Sequence, residues 1–286
     1  MNVVDMEHKK ISTDEAVRRL RADPQYAALI RDSYLEEDVR KSAERFRASA
    51  EFAEVKELLG RHIRASRILD LGAGTGIASY ALARSGAKIV YALEPDPSNQ
   101  IGRGAIARLG MNLPIEVLDA FGEEIPLPDA EVDIVYARQV LHHSQELAQV
   151  VRECARVLKV GGIFLACREH VVEDEAELRA FLSQHPVHTL AGGENAFPLT
   201  TYLSAIESAG LKIEKVMGPW DTVINAFPEV RTSAELDLIP EKILAHRLGK
   251  AGALASYLPG LKSLVWRRVK RRTPPGRMYS FLAVKL

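Results

Sequence analysis

Three glycines at alternate positions, Gly72, Gly74 and Gly76 in ILDLGAGTGIASYALA, follow a short apolar run and precede a helix-like one. Backbone without Cβ at a strand-to-helix turn exposes amide N–H groups and lets a ligand lie against the chain. Phosphate, dinucleotide and sulfonium cofactors are the candidate ligands. A dinucleotide fingerprint needs its third glycine at position 77, where Ile77 stands, and no GK[ST] follows as in a phosphate loop. A second group is His142 and His143, just after the apolar run VDIVYARQ, since imidazole suits proton removal near neutral pH. A third is the polar stretch REHV to HPVHTLAGGENAF, with Arg168, Glu169, His170, His185, His188, Glu194 and Asn195. Those side chains could read a polyhydroxylated acceptor. His185, His188 and Glu194 could ligate a metal, but HxxH spacing without an assured helix does not set two imidazoles on one face, so no metal is expected.

The elements needed to position these residues follow from hydrophobic period. Residues 1–60 read as helices forming an N-terminal cap. Ser12 with Glu15 makes a capping box, and a helix carrying Phe46, Ala50, Ala53 and Leu58 stops at Gly60. From residue 61 onward strands and helices alternate: SRILDLG, AKIVYALEP, IEVLDA, VDIVYARQ and GIFLACRE are five strands with helices between them. Crossovers of that kind demand a mostly parallel sheet covered on both faces. Two inserts, 170–198 and 221–276, interrupt the pattern as a substrate lid and a basic appendage, and RMYSFLAVKL supplies the last strand.

In LDLGAGTG the glycine turn resembles the first motif of class I S-adenosylmethionine (SAM)-dependent methyltransferases. ALEP puts Glu94 and Pro95 where that family places an acid for two ribose hydroxyls, and a carboxylate can accept both hydrogen bonds. LDA puts Asp119 and Ala120 where the family contacts adenine. EEIPLPDAEVDIVYARQVLHH and VRECARVLKVGGIFLA are similar to the quinone and sterol (type 11-like) subgroup, so the likeness covers residues 65–170 and, weakly, the last strand. The resemblance implies an α/β, Rossmann-like doubly wound sheet, mostly parallel with an antiparallel last strand. It implies SAM as cofactor, and attack of a nucleophile on the sulfonium methyl. Asp70 and the amides of Gly72, Ala73, Gly74 and Gly76 would hold the methionine end, with Arg138 and Gln139 beside the cofactor. His142, His143, His170, His188 and Glu194 are the candidates for the base.

Bulk composition bounds the partners. Among 286 residues, 47% are hydrophobic, and 38 basic residues balance 38 acidic ones, so no overall field favours nucleic acid. Cys154 and Cys167 belong to no metal or disulfide spacing. MNVVDMEHKK lacks a signal-peptide core and no run is long enough to span a membrane, which makes the cytoplasm the expected location. Local charge is different: Lys242, Arg247, Lys250, Lys262, Arg267, Arg268, Lys270, Arg271 and Arg272 crowd one stretch, with Trp266 among them. Segment 261–272 could therefore touch the inner face of an anionic membrane. The C-terminal half also resembles methyltransferases of surface-polysaccharide assembly. The leading expectation is O-methylation of a small-molecule or glycan hydroxyl. A quinone, polyketide or lipid acceptor is the alternative, followed by a nicotinamide oxidoreductase or a protein that holds SAM without transferring methyl.

Overall fold

The computed structural model describes residues 10–246, 260–270 and 275–286. Its centre is one seven-stranded sheet: β1 Arg67–Leu71, β2 Ile89–Leu93, β3 Ile115–Leu118, β4 Val132–Arg138, β5 Leu158–Val171, β6 Leu211–Met217 and β7 Arg277–Lys285. The spatial order is β3-β2-β1-β4-β5-β7-β6. β1 to β5 pair in parallel, while β7 runs antiparallel to both β5 and β6. The expected mostly parallel sheet with a reversed last strand is what forms.

Both faces are buried because successive side chains point to opposite sides and each side meets helices. Ile68, Ile134 and Tyr136 join one core cluster; their neighbours Leu69, Val135 and Ala137 join the other. Helix Leu147–Val157 covers the second face with Leu147, Val150, Val151 and Cys154, the 3.6-residue stripe that its sequence announces.

Among the described residues four α-helices precede the sheet: α1 Thr13–Ala22, α2 Ala27–Asp32, α3 Val39–Arg47 and α4 Ala50–Leu59. Two expectations are corrected here. Only half of a capping box forms: Ser12 Oγ accepts from the Glu15 N–H, but the Glu15 carboxylate pairs with Arg18 and Arg19. The supposed single helix through Phe46 and Leu58 is two, because Ser49 caps a new start by accepting from the Phe52 N–H at 3.1 Å. That restart resets the phase, so α4 buries Phe52, Val55 and Leu59 while Ala53 is exposed.

One polar residue on the buried side of α4 ties these helices to the sheet. Glu51 is bidentate with Arg138 at the end of β4, Oε1 to Nε at 2.7 Å and Oε2 to Nη2 at 3.2 Å. The guanidinium also lies over the rings of Tyr34 and Phe46. Removing one partner of a buried pair strands the other charge, so Glu51→Ala should lower unfolding free energy by about 3–5 kcal/mol. Urea denaturation measures this, and a loss under about 1 kcal/mol would mean that Arg138 reaches water without its partner.

Candidate active site

β1 is the turning point of the sheet. β2 lies on one side of it and β4 on the other, and the chain leaves β1 and β4 toward opposite faces. Such divergence opens a crevice at the strands' carboxyl ends. The two departing loops touch at its base. A Cβ on Gly72 would lie 2.2 Å from Val140 Cγ2, so no side chain fits there. Gly74, by contrast, has φ of +55° and nothing within 4 Å of where a Cβ would stand. Its bare face looks into the crevice, and its N–H donates to Glu94 Oε2 at 2.7 Å. The other oxygen of Glu94 accepts from the Asp96 N–H at 2.9 Å, and burial raises this carboxyl's pKa. Asp70, at the foot of the glycine turn, is wholly buried. Burial pushes its carboxyl up to about 7 against the hydrogen bond from Ser79 Oγ at 2.5 Å, with Glu94 adding to the rise and Arg138 opposing it.

Farther along, the crevice widens to about 1000 Å³ between Pro95, Asp119, Ala120 and Phe121. Asp119 accepts from Arg103 at 2.5 Å and its side chain is 71% exposed. Phe121 is 68% exposed, an aromatic face that a flat base could cover. Sequence reasoning stopped at Ala120 and missed it, although an aromatic one residue past LDA was a usable signal.

At the other end the glycine turn gives onto a chamber of about 460 Å³, floored by imidazoles. β5 is longer than GIFLACRE and carries Arg168, Glu169 and His170 inside the sheet. Two of these are not the substrate readers expected of the polar stretch. Arg168 is buried and donates to the carbonyls of Ile224 and Phe227. Glu169 is fully buried and accepts from the backbone N–H groups of Val140 and His142 and from His142 Nδ1 at 2.7 Å. His170 does face the chamber, but its Nδ1 donates to the Gly276 carbonyl at 2.7 Å, and burial with nearby His142 pushes its pKa down to about 3.

His142, His143, His185 and Glu194 meet on the floor. Glu194 Oε2 lies 3.6 Å from His142 Nε2 and 3.8 Å from His143 Nε2, and Oε1 lies 3.8 Å from His185 Nδ1. Burial lowers His142, but the carboxylates of Glu169 and Glu194 outweigh it and lift the pKa to about 9. Burial and the charge on His142 lower His143. The surrounding imidazoles overcome burial to hold Glu194 down at about 2. His188 is on helix Pro186–Ala191 and does not line the chamber, although Val187 beside it does. Arg138 and Gln139 both border the chamber, yet the Arg138 guanidinium is committed to Glu51 and to Gln139 Oε1.

The roof is what the sequence concealed. Val17, Leu20, Leu29, Ile30 and Leu35 from α1, α2 and the turn after them cover the chamber with aliphatic surface. Arg21 fastens this roof to Gln100 at 2.7 Å, and Asp14 accepts from Ser98 Oγ at 2.5 Å. On helix Leu261–Lys270, Trp266 packs, partly buried, against the cluster that includes Val223 and Val230, while Leu264, Arg267 and Arg268 are exposed. Arg247, Lys250, Arg271 and Arg272 lie outside the described residues. Among the described residues no helix is long and apolar enough to cross a membrane.

Residues 69–166 match the family model described as a methyltransferase domain (Methyltransf_11). A dimethylglycine N-methyltransferase of Parasynechococcus marenigrum is 36% identical over 99 residues, 34% of this chain and 35% of that one. A ubiquinone biosynthesis O-methyltransferase of Rhizobium etli is 26% identical over 138 residues, 48% of this chain and 54% of that one. The chain thus spans between about a third and a half of the length of these curated relatives. The solved structure of an S-adenosylmethionine-dependent methyltransferase from Mesorhizobium loti superposes with a TM-score of 0.56 at 20% identity, over 83% of this chain and 99% of that one, and shares its fold. Fold, glycine turn and matched stretch agree: residues 69–166 are similar to a methyltransferase domain, and they sit in a fold shared with an S-adenosylmethionine-dependent methyltransferase.

Proposed function

We propose that this chain transfers the methyl group of SAM to a hydroxyl of a small, amphipathic acceptor held in the imidazole-floored chamber. One observation carries the reading: the bare face of Gly74 and the carboxylate of Glu94 stand at the mouth of a chamber whose floor is polar and whose roof is aliphatic. SAM laid along the crevice would place its ribose on Glu94, its adenine between Asp119 and Phe121, and its methionine end over Asp70 and the bare glycine turn. The amides of Ala73, Gly74 and Gly76, expected to hold that end, donate instead to Leu93, Glu94 and Ala73. Its methyl then faces the chamber. Sulfonium charge makes that methyl electrophilic already, so the protein's work is in-line placement, exclusion of water and removal of the acceptor's proton. The imidazoles and Glu194 can hydrogen-bond a sugar-like hydroxyl, while the roof accommodates an apolar portion. That mixed lining supports a glycan or lipid-linked acceptor over a wholly apolar quinone. N-methylation is the second reading, favoured by likeness to the dimethylglycine N-methyltransferase.

Calorimetry should show SAM binding and no NADH binding. Glu94→Ala should weaken SAM ten- to hundredfold, the value of about 1.5–3 kcal/mol for hydrogen bonds to a charged group. Unchanged affinity would remove Glu94 from the ribose site.

Asp70 gives a pH signature. Its carboxyl titrates at about 7 in a pocket shared with Glu94 and Arg138, and an incoming ammonium group needs the carboxylate form. A proton must therefore leave on binding below that pH, and SAM affinity should fall about 25-fold between pH 7.5 and 5.5. In Asp70→Asn this slope should vanish; the same slope in the variant would assign the proton elsewhere.

Labelled methyl transfer should be assayed against paired hydroxyl and amine acceptors. Label appearing only on the amines would overturn O-methylation.

A further inference from the structure

HxxH spacing set His185 and His188 together as metal candidates, and they are not the pair that the fold assembles. The adjacent His142 and His143, at the carboxyl end of β4, turn their Nε2 atoms toward one oxygen of Glu194, and the ligand atoms of all three lie within 4.8 Å of one another. We propose that His142 Nε2, His143 Nε2 and Glu194 form a three-ligand site for one divalent transition metal of the zinc class, with its remaining position facing the acceptor. This rests on the methyltransferase reading only for the metal's use, not for its binding.

Three independent features support the site. First, the separations of 3.6 and 3.8 Å between Glu194 Oε2 and the two imidazole nitrogens are too long for hydrogen bonds. They lie near the roughly 3.3 Å expected between two ligands about 2.0–2.1 Å from one tetrahedral ion, within reach of small side-chain shifts. Second, each ring's other nitrogen is tied back. His143 Nδ1 lies 2.9 Å from the Gly193 carbonyl, which can only accept, so Nδ1 carries the proton and Nε2 keeps its lone pair. His142 Nδ1 lies 2.7 Å from Glu169, itself fully buried and fixed by two backbone N–H groups. Metal-binding histidines are held in this way, through a carboxylate or a carbonyl on the far nitrogen. Third, two imidazoles and one carboxylate with a free position make the donor set of catalytic zinc sites. The free position opens to the chamber that holds the acceptor.

A hydroxyl bound there would lose its proton more readily, because the cation stabilises the alkoxide. The alkoxide oxygen forms its bond to the methyl carbon as the carbon–sulfur bond breaks. The electron pair of that bond stays on sulfur as a neutral thioether, and the acceptor's proton goes to solvent.

The test uses the full chain, freed of metal with a chelator and titrated with Co²⁺ alone, then with Zn²⁺ in competition. One equivalent of Co²⁺ should bind, with the visible absorption of a low-symmetry site, and Zn²⁺ should displace it. Glu194→Gln and His143→Ala should each weaken Co²⁺ at least tenfold. Glu169→Gln, which touches no metal, should weaken it about ten- to hundredfold by loosening His142. His188→Ala should leave affinity unchanged, and SAM calorimetry on each variant reports whether it is folded. Absence of Co²⁺ uptake, or uptake that the Glu194 and His143 variants retain, would overturn the site. SAM binding without metal uptake would refute the metal and leave methyl transfer standing; metal uptake without SAM binding would do the reverse.

Discussion

The loop after β4 depends on one buried carboxylate. Glu169 sits inside β5 with no exposure, where an ionised group survives only if its lone pairs are met. They are met by the N–H groups of Val140 and His142 and by the His142 ring. These bonds pin the short turn that carries Val140 against Gly72 and aims both histidines into the chamber. Since β4 and β5 are hydrogen-bonded neighbours up to Arg138 and Cys167, the anchor is part of the sheet rather than of a loop. Rigid elements hold polar groups in place more exactingly than loops do. The glycine turn and the imidazole floor are thereby referenced to the same two strands.

A second buried charge does the same from below. Arg138 ends β4 and is clasped by Glu51 of α4, so the N-terminal helices are keyed to the strand that carries the histidines. Those helices then continue upward as the aliphatic roof, fastened to the loop after β2 through Arg21 with Gln100 and Asp14 with Ser98. The roof therefore spans from the acceptor floor to the loop carrying Glu94 and Pro95. Chamber and crevice are one structural unit although their residues are far apart in the chain.

The sheet was legible because its signal is local. Short apolar runs ending in glycine, and a helix with stripe Leu147, Val150, Val151 and Cys154, announce themselves within a dozen residues. Gly72, Gly74, Gly76 and Glu94 were legible for the same reason: each lies at a strand end, where the turn constrains residue type. Tertiary partners were not legible. Nothing near Glu51 says that it will meet Arg138, 87 positions later. Arg168 and Glu169 close the expected strand GIFLACRE but also read as part of the polar acceptor-reading stretch, because charged side chains rarely lie within a buried strand, and only their specific acceptors and donors permit it. His170 and His188 looked equivalent to His142 in the sequence, yet one is tied to a backbone carbonyl and the other lies off the chamber. The roof was invisible because its aliphatic residues read equally well as ordinary helix core.

The boundary of the family match falls between two kinds of recognition. Residues 69–166 include the glycine turn, Glu94, Asp119 and the pair His142 and His143, but not Glu169, His170, His185, Glu194 or any roof residue. The matched stretch holds the glycine turn and the strand ends beside it. An acceptor imposes nothing on that shared part beyond a line of approach to the methyl group. Its shape and polarity would be met outside the matched stretch, by the roof from residues 13–35, the end of β5 and the helix-and-turn segment ending at Glu194. Similarity confined to the matched stretch therefore carries cofactor chemistry from relative to relative and leaves acceptor choice behind. A dimethylglycine N-methyltransferase and a ubiquinone biosynthesis O-methyltransferase align with this chain over 99 and 138 residues. His142 and His143 stand on the seam. They belong to the matched stretch by sequence, whereas Glu169 and Glu194, which orient and face them, lie beyond its end at residue 166, so their surroundings are set by partners outside it.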